Sequence, residues 1–495
     1  MKVAFFSSHI LWDTHYETEL EIMQRHLDAG DEVYQYVCNA EMTACDVNPD
    51  HGFSRCVQCM AKRRHGRSLL SKEVPTQSYQ QLHAGDQRRI DVFMAQLPGE
   101  LDAFKALRFD HFDVGYAVVS SIVSQLENPK PDIRANRFLF ESFTRAALEV
   151  YLSFMHRLQA DKPDRIYIFN GRLAQVKGVF RAAQACGIPC HIHERGNTFR
   201  LYGIFEDHLP HDIRRMGEKM EAFWHSGEDE AEKERLAAFF FENRRKGVLL
   251  SWKSFTDKQV KGLLPDGFDP DKKNIMIFNS SEFEFASIGP EWDNTIYRDQ
   301  NNGVTRICAD MAAHPEYHFY LRLHPNLATA DPANYEKVRQ LHAPNLTVIM
   351  PDAPIDSYHL LDAAWKVITF GSTMGMEATW WGKPSIMAGH CLYECFDSIY
   401  KPNNHDELLG MLLDPELPPC DKADARKFGY FYAAYGHPYK YYEPIDYKSG
   451  TYRGVHLEPK LRPAEERIME RYWKYRRFSL LRQPLERTIL RKLHD

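Results

Sequence analysis

The feature that most constrains the fold is an alternation, in the second half of the chain, of short apolar runs with stretches of helical periodicity. The runs are Asn274 to Phe278, His318 to Leu323, Leu346 to Met350, Val367 to Phe370 and Ser385 to Met387. Strands that read as continuous apolar runs are buried on both faces, and strands alternating with helices join by right-handed crossovers into a parallel sheet. The amino end opens in the same way. Lys2 to Ser7 is apolar, Tyr16, Leu20, Met23 and Leu27 recur at helical spacing before Gly30, and Glu32 to Val37 forms a second run. Residues Gln87 to Leu158 read as mostly helical. A strand at Arg165 to Phe169 follows, then a helix at Leu173 to Cys186 stopped by Gly187 and Pro189, and a strand ending at His191 to Glu194. The expected architecture is therefore α/β, with two facing Rossmann-like domains, parallel sheets and a C-terminal helical tail. Residues 1–245 are expected to form the first domain with a helical insertion, 246–430 the second, and 431–495 a basic helical tail. The charged segment His225 to Lys246 is expected to be a helix near the junction. No internal repeat or long linker separates the halves, so a site held between them is expected.

A chain of 495 residues with 44% hydrophobic and 26% charged residues can build sizeable cores, which excludes whole-chain disorder. Its net charge of −6 is too even for a protein that coats nucleic acid, and no nucleic-acid partner is expected. From Lys460 to Asp495, however, eleven basic residues stand against five acidic ones. Basic and aromatic residues interleave from Arg471 to Phe478, a pattern that suits an anionic bilayer surface or a terminal helix folded back on the first domain. No stretch approaches the roughly 18 apolar residues of a membrane span. The amino end turns polar after Phe6, so a cytoplasmic location is expected, with peripheral contact at the inner face of the membrane.

Three polar signals fall at successive strand ends. Asn279, Ser280 and Ser281 follow the first run of the second half and could hydrogen-bond a ligand at the sheet's carboxyl edge. Arg322 and His324, two apart in YLRLH, share a strand face where two donors could hold an anion, and Pro325 ends the ladder. Finally, an apolar strand enters Phe370, Gly371, Ser372, Thr373, Met374, Gly375, Met376, Glu377. Amides at the start of the next helix and two hydroxyls would make a phosphate site, and Glu377 could accept from ribose hydroxyls.

The segments RLHPN at Arg322 to Asn326 and ITFGSTMGMEATWWGKPSIMAG at Ile368 to Gly389 resemble those of bacterial capsule and surface-polysaccharide glycosyltransferases of the GT-B fold. They look like that family's HP motif and its Ser/Thr-rich loop followed by Glu-Ala and Gly-Lys-Pro. Shorter matches are the cysteine-bearing segment Cys38 to Cys59 and HERGN at His193 to Asn197. The resemblance implies a nucleotide-sugar donor, with His324, Ser372 and Thr373 at its phosphate and Glu377 at its ribose. It also implies transfer to a capsule- or lipopolysaccharide-type glycan, free or lipid-linked.

An inverting transfer needs a base near the acceptor hydroxyl. The candidates are His9, Asp13, His15, Glu17 and Glu194; Asp13 is preferred, with His9, His15 and Arg195 as acceptor contacts. No Asp-x-Asp follows a strand, so no catalytic metal and no cofactor beyond the donor is expected. There is also no GxxxxGK[ST] loop and no G-x-S-x-G elbow. Cys38, Cys45, Cys56 and Cys59, with His51 and His65 nearby, leave a structural zinc site, a disulfide and plain thiols open. The competing functions are a sugar-nucleotide epimerase, a CDP-polyol phosphotransferase and a non-catalytic glycan-assembly subunit.

Overall fold

The computed structural model describes residues 1–226, 229–248, 258–329, 336, 338 and 340–475, with backbone alone for 329 and 471–475. It divides into two compact units. One comprises Met1–Leu126, Lys130–Pro210 and the chain from Gly436 onward; the other comprises Glu127–Pro129 and His211–Tyr435.

In the first unit the strands are β1 (Lys2–Ser7), β2 (Glu32–Val37), β3 (Thr76–Ser78), β4 (Arg165–Phe169), β5 (Cys190–Arg195) and β6 (Leu201–Glu206). The second unit holds β7 (Lys273–Phe278), β8 (Tyr317–Arg322), β9 (Leu346–Ile349), β10 (Lys366–Phe370) and β11 (Ser385–Gly389). The chain then returns to the first unit through β12 (His437–Pro438) and the hairpin β13 (Tyr442–Pro444) and β14 (Gly450–Tyr452).

The first sheet has the order β12-β6-β5-β4-β1-β2-β3. Its five strands from β5 to β3 are parallel; at one edge β6 pairs antiparallel with β5, and β12 pairs antiparallel with β6. Side-chain alternation serves both faces of β1. Phe5 stacks on Tyr167 at 4.9 Å and joins the core of the helix His15–Asp28, whereas Phe6 meets Phe154 of the helix Arg137–Asp161 at 4.9 Å.

The second sheet, β11-β10-β7-β8-β9, is parallel throughout. Ile275 and Ile277 pack with Val304 and Ile307 on one face, and Met276 and Phe278 pack with Leu360 and Leu361 on the other. The helices Ile213–Trp224 and Glu230–Arg245 belong to this unit rather than to the first, because aromatic residues bind them to the helix Ala423–Ala434. Phe223 stacks on Tyr430 at 4.7 Å, and Phe240 meets Phe428 at 5.9 Å.

The carboxyl-terminal helix Pro463–Tyr475 belongs to the first unit, where Ile468 and Met469 pack with Phe53, Val57 and Met60. The aromatic and basic side chains from Arg471 to Phe478, and the tail beyond, lie outside the described residues. Among the described residues, no helix is long and apolar enough to cross a membrane.

Candidate functional site

In the second unit β10, β7 and β8 are adjacent and parallel, so their carboxyl ends deliver the three polar signals to one edge. The Asn279 carboxamide oxygen accepts from the His324 amide at 2.8 Å, and the Ser281 hydroxyl meets His324 Nδ1 at 3.0 Å. Asn326 N also donates to Nδ1, at 3.2 Å. Nδ1 is therefore an acceptor, and the imidazole proton sits on Nε2 as a donor. Ser280 pairs with Gln300 through both its amide and its hydroxyl, at 3.2 and 2.9 Å.

Gly371 has φ of 80°, and a side chain there would meet the His390 carbonyl at 2.8 Å, so this turn requires glycine. The Ser372 amide donates to Thr369 Oγ1 at 3.0 Å, and the Ser372 hydroxyl accepts from Met374 N at 3.3 Å. The helix that follows, Met374–Trp380, is only seven residues long, so the hydroxyls rather than a long helix dipole set the polarity of this turn.

Three expected donor contacts are spent inside the unit. Arg322 is buried and donates to the Met350 and Ala353 carbonyls; burial lowers its guanidinium to about 10. It does not join His324 at an anion, because alternation fixes the side of a strand but not what a long side chain reaches. Gly375 serves packing: an added Cβ would lie 2.4 Å from the Tyr393 hydroxyl and 2.7 Å from Thr369. Glu377 is 0% exposed. Its Oε1 accepts from Arg244 Nε at 3.0 Å and Thr373 Oγ1 at 3.1 Å, and its Oε2 accepts from the Tyr358 hydroxyl. Arg244 Nη2 also reaches Thr373 Oγ1 at 3.1 Å. Burial works against the Arg244 charge, but Glu377 and Tyr358 outweigh it and raise its pKa. Arg244 and Tyr358 carry no motif, and only the folded chain reveals them as partners of Glu377.

In the first unit the ends of β1, β4 and β5 are likewise adjacent. His9 is buried between the Ser8 hydroxyl at 2.9 Å and Asp46 at 3.4 Å. The His15 ring lies over Phe169 with centroids 3.9 Å apart, and its Nδ1 is 4.0 Å from Glu194. Burial pushes the His15 pKa well below its ordinary value, and Arg195 and His193 add to the effect, so this imidazole is neutral. Glu17 is raised by burial, against the opposing pull of Lys62 at 3.0 Å. Glu194 accepts from Asn170 Nδ2 at 2.8 Å and from Arg195 N at 3.0 Å. Arg195 donates to the Asp13 carbonyl, which fixes the loop, and the Asp13 side chain is exposed. Asp46 went unnoticed in sequence, since it stands beside no strand end.

Cys38, Cys45, Cys56 and Cys59 are free thiols, and burial raises those of Cys38, Cys45 and Cys59. Cys45 Sγ points to the Asn48 carbonyl, and Cys56 accepts from Asn48 Nδ2 at 3.2 Å. No disulfide joins them, and among the described residues no group of three or more His, Cys, Asp and Glu could hold a metal ion. Four half-buried free thiols stand at these positions.

No family model matches the chain, and no curated protein matches its sequence. Similar solved structures include two from KpsC of Thermosulfurimonas dismutans. One is described as a β-Kdo 2,4 transferase, with 15% identity, a TM-score of 0.36 and coverage of 55% of this chain and 79% of that one. The other is described as a β-Kdo 2,7 transferase, with 16% identity, a TM-score of 0.35 and coverage of 64% and 88%. A UDP-GlcNAc 2-epimerase from Neisseria meningitidis bound to UDP-GlcNAc shows 11% identity, a TM-score of 0.25 and coverage of 96% and 100%. What the chain itself shows is an α/β architecture of two units, each built on a largely parallel sheet.

Proposed function

We propose that the chain is a glycosyltransferase that moves a sugar from a nucleotide-sugar donor to a surface glycan of the capsule or lipopolysaccharide type, free or lipid-linked. The observation that carries this reading is the convergence of Ser280, Ser281, His324, Ser372 and Thr373 at one edge of the second sheet. When a glycosidic bond to a nucleotide breaks, negative charge grows on the leaving phosphate, and fixed donors aimed at it lower the barrier. His324, held through Nδ1 so that Nε2 donates, is the best-oriented of these groups. Glu377 acts behind them, fixing Arg244 and Thr373.

The acceptor is assigned to the edge of the first sheet, where the exposed Asp13 carboxylate takes the proton from the attacking hydroxyl. His9 and His15, both buried, and Arg195 shape that edge. The donor-phosphate partners named are imidazole, hydroxyl and amide, and the proposal uses no divalent ion; activity is expected to persist in EDTA. Loss in EDTA with recovery on adding Mg²⁺ or Mn²⁺ would reverse that point. The proposed working place is the cytoplasmic face of the membrane.

The test is nucleotide release from a panel of CMP-, UDP- and GDP-sugars, with and without glycan acceptor. Acceptor-dependent release, lost in Asp13→Asn, is the expected result. Conversion of the sugar nucleotide without acceptor would replace the reading by epimerisation, and polyol phosphate transfer from a CDP-polyol would replace it by phosphotransfer. No binding of any donor would leave a non-catalytic subunit.

A further inference from the structure

The first unit carries a polar cavity that the proposed reaction does not use. The helix Phe53–Arg67 follows β2 and runs back against the strand direction, so it ends at the sheet's amino edge, opposite the edge where His9, Asp13 and Glu194 gather. Ser71, just beyond it, donates to the side chain of Gln24 late in the helix His15–Asp28, and Leu70 and Val74 pack with Val3 and Val33 at the strand starts. Here lies a cavity of about 400 Å³ whose walls include Arg64, Arg67, Ser68, Lys72, Glu73 and Arg462.

Four cations and one carboxylate thus face one space. The guanidiniums are fixed before any ligand arrives. Glu465, 0% exposed, takes two bonds from Arg64 at 2.7 and 2.6 Å and one from Arg462 at 2.9 Å. Arg67 Nη2 donates to the Val74 carbonyl at 2.7 Å, which orients the group. Rigid forks of this kind suit a group with several acceptor oxygens, and fixing them in advance removes part of the entropy cost of binding. Leu70 and Val74 add an apolar side to the cavity.

We propose that this cavity is a phosphate-binding site separate from the donor and acceptor edges, taking a phosphate either free or as the headgroup of an anionic lipid. The assignment does not depend on the proposed glycosyl transfer. The test uses the full chain, Arg67→Gln/Lys72→Gln, the exposed-residue variant Lys72→Gln alone, and His324→Ala. Each is titrated with inorganic phosphate and, separately, with phosphatidylglycerol and phosphatidylcholine vesicles at low salt.

The expected result is saturable binding of at least one probe, weakened tenfold or more by Arg67→Gln/Lys72→Gln, weakened severalfold by Lys72→Gln, and unchanged in His324→Ala. Loss of phosphate binding in Arg67→Gln/Lys72→Gln with unchanged binding to phosphatidylglycerol vesicles identifies the free ion, and a tenfold loss of phosphatidylglycerol-vesicle binding in that variant identifies the lipid headgroup. Binding within twofold of the parent chain in both cavity variants would overturn the site, as would binding of neither probe. Because His324→Ala removes the donor contact alone, loss of transfer activity with retained phosphate or vesicle binding separates the two assignments.

Discussion

A histidine at a strand end becomes a usable donor only when something decides which nitrogen carries the proton. At His324 that is done by Asn326 N–H and the Ser281 hydroxyl on Nδ1, which leaves the proton to Nε2. His324→Ala is expected to cut the transfer rate by about a hundredfold to a thousandfold, the ordinary cost of about 2.7–4 kcal/mol for one oriented donor. Its melting midpoint should stay close to that of the parent chain, and activity within threefold of the parent would remove His324 from the site. The place of His324 at a strand end was legible in sequence because Pro325 marks that end. Arg322, two residues earlier, was misread. Period-two alternation places it correctly on the strand, but its guanidinium reaches the Met350 and Ala353 carbonyls. Side-chain reach of that kind depends on the chain after β9, which no local pattern describes.

Elements are held by charges as well as by apolar faces, and two clamps make that measurable. Between the helix Met374–Trp380 and the helix Glu230–Arg245, the buried Glu377 and the half-buried Arg244 lie 3.0 Å apart. Glu377→Gln leaves the Arg244 charge without its counterpart and is expected to cost about 3–5 kcal/mol in denaturant unfolding. A change under 1 kcal/mol would show that the pair does not hold these helices. In the first unit, Asp113 meets Lys177 at 3.0 Å and Arg181 at 2.6 Å on the helix Ala174–Cys186. Burial alone would raise its carboxyl, but Lys177 and Arg181 outweigh it and hold it far below the usual carboxylate range. A depressed folded pKa means that the stabilisation is complete above the unfolded value near 3.9 and is lost as pH falls below it. Asp113→Asn should therefore be less stable by about 3 kcal/mol at pH 7, with the difference shrinking below about pH 4; a gap at pH 2 as large as that at pH 7 would contradict the assignment. The strands of the second unit were readable because each is a buried apolar run between polar turns. β3, with the sequence TQS, and β6, LYGIFE with an internal glycine, offer no such signal.

At the scale of the whole molecule the chain leaves its first unit at Pro210 and re-enters it at Gly436. Composition hid both crossings. The helices Ile213–Trp224 and Glu230–Arg245 read as polar and charged, yet Phe223 and Phe240 tie them to Tyr430 and Phe428, about two hundred residues away. The end of the chain read as one basic tail because its charges dominate any count, while Leu461, Ile468 and Met469 are the residues that pack with Phe53 and Met60. The tail is therefore two things, a docked helix and the basic sequence after it, and two truncations separate them. A chain ending at Pro459 loses Glu465, the carboxylate that takes two bonds from Arg64, and the buried Met469, a side chain worth about 1.5–3 kcal/mol. Its unfolding free energy should fall by at least about 3 kcal/mol. A chain ending at Tyr475 keeps those contacts and should unfold like the full chain. It should nonetheless bind anionic vesicles at least tenfold more weakly at low salt, since each lysine or arginine near such a surface contributes about 1 kcal/mol. Equal vesicle binding by the Tyr475 and full-length chains would remove the basic tail from any role at a membrane, whatever the Pro459 chain does.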